Sequence, residues 1–423
     1  MHRLVQALPA LVAVALASGA GAQVPGAPAA GGEAGRPAEA RVYDDAARNA
    51  WAFIDRNYVP ATGLVRTSDG YAHVTIWDVA SGLIALYAAN ELNLLPDAEY
   101  DRRMRRALQT LKVLPLYRNA VYNRAYSAQT AAMIGRGDVP SERGTGWSAL
   151  DLGRFLSVLK VIASNHPQYA GEIESVVRRI DMSRVVRGGY LWGEDLPRSG
   201  RAQSYQEGKI GYEQYAAQGF AVWGFRAERA LNVTENARPV TVLGVRLLAD
   251  KRGGDRLTSD PFVLAAMELD LWGEEFNELA RGVLAAQEAR YRQTGVLTVV
   301  NEDALPVPPH YFYYYSVYQN GRSFVVDAQG PMRNVRVRPW VSTKGAFGWD
   351  AVFPSDYTRA AVDLVSQAHA RRTSWGSGVY EGTQEVAGSG DVNTAAIILQ
   401  AALYKRLGRR LLAPDQPAAA PAP

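Results

Sequence analysis

Not one cysteine occurs in these 423 residues, which excludes disulfides, thiolate nucleophiles and cysteine-ligated zinc together. Histidine is nearly as scarce: the five are His2, His73, His166, His310 and His369. They form no H-E-x-x-H pattern, so a catalytic zinc site has no basis. The G-x-S-x-G elbow and the G-x-x-x-x-G-K-[ST] phosphate loop are missing as well. The stretch from Glu381 to Asn393 has glycines and acids but lacks the EF-hand spacing for calcium. No metal and no cofactor is expected. Charge of one sign is not in excess either: the net charge is +4, and arginines come in short separate clusters such as Arg102–Arg103, Arg178–Arg179 and Arg371–Arg372. Such clusters suit solvated helix faces, and no nucleic-acid partner is expected.

Long apolar runs are limited to the start of the chain. His2 and Arg3 precede an apolar run from Leu8 to Ala17, and the small residues Ala20-Gly21-Ala22 follow. This pattern reads as a secretory signal peptide over residues 1–22, too short to span a membrane. No later run approaches ~18 apolar residues, so no membrane span is expected after cleavage. Residues 23–40 are rich in Pro, Gly and Ala and read as a disordered linker, as do residues 413–423 at the other end. Between them residues 41–412 carry no internal linker and read as one domain.

That domain holds six stretches with helical apolar spacing, each opened by a polar residue: Asp78, Asp151, Glu213, Asp260, Asp356 and Asn393. Segments such as IWDVASGLIALYAANEL are apolar almost all round, so they must be covered on several sides. Amphipathic stretches alternate with them, at Ala46–Asn57, Asp101–Leu114, Ala170–Ile180 and Glu274–Gln293. Inner helices alternating with outer ones predict an all-α fold, an (α/α)6 barrel, with polar residues converging at the inner-helix starts. Residues 295–339, with LTVV, HYFYYYSVY and RSFVVD, alternate in a strand-like way and predict a small β excursion over the cleft.

Twenty-two tyrosines and nine tryptophans stand beside these helix starts as well as in the core. Aromatic faces pack on sugar rings while carboxylates and amides bond the hydroxyls, so the mixture suits a carbohydrate cleft. Candidate sugar contacts are Trp77, Trp147, Trp192, Tyr212, Tyr215, Tyr314, Trp349, Trp375 and Tyr380. Any of these rings can equally be a core or loop anchor. Glycoside hydrolysis needs one carboxylic acid and one carboxylate. Glu is a poor helix cap, so Glu213, between Tyr212 and Tyr215, is the first choice for the acid. Asp151 lies one turn inside its helix behind Thr145 and Ser148 and is the choice for the second group, unless it pairs with Arg154. Asp78 and Asp350 are reserves, whereas Asp260 before Pro261 reads as a cap, and Asp356 and Asn393 invite the same reading.

The segments IWDVASGLIAL, GWSALDLGRFLSVLK, GYEQYAAQGFAVWG, STKGAFGWDAVFPSDYT and GSGDVNTAAIILQAAL resemble the bacterial family of unknown function DUF3131. Through it they resemble the glucoamylase-like domains that include β-1,2-glucanases and the glucan-processing domain of cyclic β-1,2-glucan synthase. The resemblance covers roughly Tyr43 to Leu412. It implies an (α/α)6 barrel, export to the periplasm or beyond, and action on, or binding of, a bacterial glucan or similar envelope polysaccharide. In the glucanase relatives an acidic residue early in the second inner helix and a Glu opening the third are implicated in catalysis. Those positions fall on Asp151 and Glu213. The relatives carry another acid three positions before the first of these, where this chain has Ser148, and a Glu where it has Asp151.

The reading is therefore an exported glycoside hydrolase with a polysaccharide or oligosaccharide substrate. Two rivals share the fold: a non-catalytic polysaccharide-binding or assembly factor, and a polysaccharide lyase that would use Tyr or His as base with Arg neutralising a uronic acid.

Overall fold

The apolar-all-round segments form helices covered on several sides, mostly by other helices. The computed structural model describes residues 38–305, 312–328 and 337–414. In chain order its helices are α1 (Ala38–Asn57), α2 (Ile76–Glu91), α3 (Asp97–Val113), α4 (Ala149–Asn165), α5 (Ala170–Val177), α6 (Met182–Val185) and α7 (Tyr212–Ala221). There follow α8 (Glu228–Leu231), α9 (Asp260–Glu268), α10 (Glu274–Thr294), α11 (Thr343–Val352), α12 (Asp356–His369) and α13 (Val392–Leu407). Helix α2 packs on α4, α4 on α7, α7 on α9, α9 on α11, α11 on α13, and α13 back on α2. Six helices thus close a ring, and every residue of α9 and all but Val352 of α11 are buried in it.

Outside the ring, α3 buries Tyr100, Met104, Ala107, Leu108 and Leu111, a single stripe at helical spacing, against α2 and α5. Helix α12 likewise buries one face, Tyr357, Ala361, Val362 and Val365, against α11. The stretch opened by Asp356 is therefore an outer helix. The fifth ring helix is α11, whose Gly345 and Gly348 conceal it from a propensity reading. Both glycines are needed for close approach: an added Cβ would lie 2.7 Å from Val299 Cγ1 and 3.0 Å from Val263 Cβ, respectively. Between α7 and α9 the outer position is held by the four-residue α8 and an antiparallel hairpin, Ala237–Val242 with Val245–Asp250.

Three ring helices start directly from short strands: His73–Thr75 before α2, Gly146–Trp147 before α4 and Trp340–Ser342 before α11. The residues Thr75, Ser148 and Ser342 cap them, each accepting from the backbone N–H three residues on, a contact worth about 1 kcal/mol. The expected β excursion is a three-stranded antiparallel sheet of Glu302–Ala304, Phe312–Gln319 and Arg322–Ala328. Helix α1 begins at Ala38, three residues inside the expected linker. The expected leader, linker residues 23–37, Tyr311 and tail residues 415–423 lie outside the described residues. Among the described residues no helix is long and apolar enough to cross a membrane.

Candidate active site

The starts of all six ring helices meet at one end. Asn393 of α13 donates to Asp78 Oδ1 of α2 at 2.8 Å, and Lys344 of α11 lies 3.1 Å from Asp260 of α9. Trp77 of α2 and Tyr212 of α7 meet at 5.9 Å between centroids. Asp151 of α4 feels the charge of Asp78. The mouth is strongly acidic, and Lys344 is its buried counter-charge. Burial alone pulls the Lys344 ammonium down, but Asp260, Asp303, Asp391 and Glu302 together push it above its ordinary value.

Asp78 and Asp151 occupy the same helical position, three residues after the cap, yet their surroundings differ. The Asp78 carboxylate completes a capping box. It accepts from Thr75 N and Oγ1 (both 2.9 Å), Thr67 Oγ1 (3.0 Å) and Asn393 Nδ2 (2.8 Å). It is committed to holding the α2 start. Asp151, half-buried, accepts from Ser148 Oγ at 3.0 Å. Burial, then the like charge of Glu207, push it up to about 7 against the opposing pull of Arg124 and Ser148. It does not pair with Arg154, which is fully buried inside the ring, 4.6 Å over the Trp77 ring and 3.8 Å from Glu268.

Glu207 is the residue that sequence reasoning missed. It follows the strand Gln203–Gln206, and its Oε2 accepts from the backbone N–H of Ala149, the first residue of α4. Burial raises its carboxyl above the usual range. Gly193 makes room for it, since a Cβ there would stand 2.6 Å from Glu207 Oε2. The only signal in the sequence is a Glu before Gly208, whose φ of +113° suits glycine.

Glu213 opens α7, and its carboxylate is taken up by Arg252 and Gln206. Its Oε2 takes Arg252 Nη2 at 2.6 Å and its Oε1 takes Gln206 Nε2 at 2.7 Å, and Arg252 also clasps Asp250. Only 1 % of Glu213 is exposed. Burial raises its carboxyl, although Arg252 opposes this. Asp350 sits near the far end of α11, among Tyr43 (2.8 Å), Thr358 (3.0 Å) and Lys405 (3.4 Å). It anchors outer elements, away from the helix starts. Glu194 and Glu381 are paired with Arg118 and Arg290 at 3.3 and 2.9 Å. Asp391 caps α13.

The candidate aromatic residues divide in the same way. Trp77, Tyr212 and Tyr314 are half-buried; Glu302, its carboxyl raised by burial, stands beside both tyrosines, and Trp77 meets Tyr212. Asp151 acts on Tyr314, which places that ring near Asp151 at the same mouth. Trp147, Tyr215, Trp349 and Trp375 are core residues instead. Their polar atoms bond Trp192 O (2.9 Å), Glu268, Ser259 (2.7 Å) and Ala46 O (3.1 Å), respectively. Trp192 and Tyr380 lie under Arg187 and Arg338 at 4.3 and 4.0 Å.

A closed helical ring with carboxyls and aromatic rings at one mouth defines the class of protein, an alpha-helical toroid. The chain belongs to the DUF3131 family, described as a protein of unknown function, which it matches over residues 45–408. No curated protein matches the sequence. Among solved structures it is similar to a β-1,2-glucanase from Parabacteroides distasonis, with TM-score 0.60 and 14 % identity, covering 89 % of this chain and 58 % of that one. It is also similar to an endo-β-1,2-glucanase from Chitinophaga pinensis in complex with sophorotriose and glucose (TM-score 0.59, 10 % identity, 88 % and 95 % covered). A third is the Talaromyces funiculosus endo-β-1,2-glucanase in complex with sophorose (TM-score 0.58, 10 % identity, 88 % and 85 % covered). At such identities the likeness establishes fold, not chemistry.

Proposed function

We propose that this chain is an exported glycoside hydrolase on an (α/α)6 barrel, its fourth outer helix, between α7 and α9, reduced to α8 and a hairpin. It cuts a bacterial glucan or related envelope polysaccharide, with Asp151 as the proton donor to the leaving oxygen. The observation that carries this reading is the state of Asp151. It is a half-buried carboxyl at the ring mouth, pushed up to about 7 by burial and Glu207, and therefore still about half protonated at neutral pH. A general acid works best with its pKa near the operating pH. Trp77, Tyr212 and Tyr314 supply ring faces beside it for a sugar, and the glucanases of similar fold support the choice of a β-1,2-linked glucan as first substrate to try.

The test is release of reducing ends from β-1,2-glucan and other envelope glucans by the purified protein, with product masses measured. Asp151→Asn is expected to lower release about 100-fold or more with the fold intact by circular dichroism. One observation favours a second reading: Glu213, at the position implicated in the glucanases, is held by Arg252 at 2.6 Å. A binding or assembly factor keeps the aromatic cleft and cuts nothing, so affinity for a glucan without release from any of them would select it.

A further inference from the structure

Asp151 and Glu207 reach the first turn of α4 from two directions. Asp151 comes from inside the helix, onto Ser148 Oγ at 3.0 Å; Glu207 comes from the loop after Gln203–Gln206, onto the Ala149 N–H. The Ser148 hydroxyl also lies against Glu207. The two carboxyls are thus packed around two consecutive residues, Ser148 and Ala149, and they differ in what they are offered. Glu207 receives a backbone N–H at a helix start, a donor that favours the anion. Asp151 receives a hydroxyl, which can as readily accept as donate. Like charges this close do not both ionise at the same pH, so the anion belongs on Glu207 and the proton on Asp151. The other groups that bear on Asp151 are Asp78 from α2, Tyr314 from the β sheet, and Arg124. Arg124 is itself occupied by Asp195 and Tyr205, both at 2.9 Å.

We infer that Glu207 is a positioning residue for Asp151: anchored as an anion on the Ala149 N–H, it keeps the proton on Asp151 that hydrolysis delivers to the leaving oxygen. This rests on the assignment of Asp151 as the donor.

The experiment is a carboxyl-carbon NMR titration of the full chain labelled at Asp, with Asp151 assigned from the Asp151→Asn spectrum, run beside the pH–rate profile on glucan. Glu207→Gln is expected to lower the Asp151 midpoint by about one pH unit. The alkaline limb of the rate should move down by the same amount while the rate on the acid side is kept. A second variant guards against misfolding. Ala149→Pro removes the N–H that fixes Glu207 at the first helical position, where proline is tolerated. Ser148 already has the extended backbone that precedes proline, φ −109° and ψ 127°. With its anion no longer favoured, Glu207 takes up the proton more readily, and the Asp151 midpoint should again fall. An unchanged midpoint in both variants overturns the inference, as does a uniform loss of rate at every pH in Glu207→Gln, which would put Glu207 on the reacting atoms. A shifted midpoint in a protein that cuts no glucan sinks the hydrolase reading and leaves the pairing standing.

Discussion

Lys344 Nζ lies 3.1 Å from Asp260 Oδ1, with both side chains almost wholly buried. Asp303, Asp391 and Glu302 act on the same ammonium, so one cation holds a cluster of carboxyls at the meeting point of α9, α11 and α13. Lys344→Met leaves those carboxyls without a counter-charge. Breaking a buried pair in this way costs about 3–5 kcal/mol. The loss should be smaller at pH 5 than at pH 8, because carboxyls whose pKa is already raised by burial take up protons first. Urea unfolding at the two pH values measures the difference.

Helices α4 and α7 touch backbone to backbone. A Cβ on Gly219 would stand 2.0 Å from Gly153 O, and one on Gly153 would stand 2.5 Å from Ala216 Cα. Gly219→Ala must push the two helices apart and is expected to destabilise the protein by about 1–3 kcal/mol. A thermal melt is the check; an unchanged midpoint would mean that the ring tolerates a wider spacing here.

Glu213 and Arg252 make a further test. Glu213→Gln removes a charge-assisted contact worth about 1.5–3 kcal/mol, softened because Arg252 keeps Asp250. If Asp151 is the donor, this variant should lose stability while the alkaline limb of its pH–rate profile stays in place. Complete loss of glucan cleavage in a folded Glu213→Gln protein would instead return the acid role to Glu213.

Glu268 is fully buried beneath the site, accepts from Tyr215, and is pushed up to about 7 by burial. Its unfolded value is near the ordinary ~4.3, so the folded protein holds this proton more tightly. The stability this contributes is present below about pH 4 and is lost as pH rises toward 7. Relative to wild type, Glu268→Gln should therefore gain stability steadily between pH 5 and 7 and level off above. Chemical denaturation across that range gives the slope, and parallel curves would refute the assignment.

Trp77 is expected to be the principal sugar platform. Its ring is half-buried between Tyr212 and the Arg154 guanidinium. Trp77→Ala should weaken oligosaccharide binding about tenfold, near 1.4 kcal/mol, as read by calorimetry. Trp192→Ala, at a ring packed on Arg187 and outside the group of Trp77, Tyr212 and Tyr314, should leave binding nearly unchanged.

The sequence alone determined the helices that need cover on all sides. The uniform burial of α2, α4, α9 and α13 follows from segments with no polar face, because apolar spacing is a local property that each segment carries with it. It also determined that acids would stand at those helix starts. Which acid is available was decided only by the tertiary structure. Asp78 and Asp151 sit at equivalent positions in similar segments, and the difference between them comes largely from Asn393 and Glu207, residues distant in sequence. The same holds for α11, where glycines that argue locally against a helix are required by Val299 and Val263 across the packing interface. Long-range approach sets desolvation and charge pairing, and neither can be read along a single strand of text.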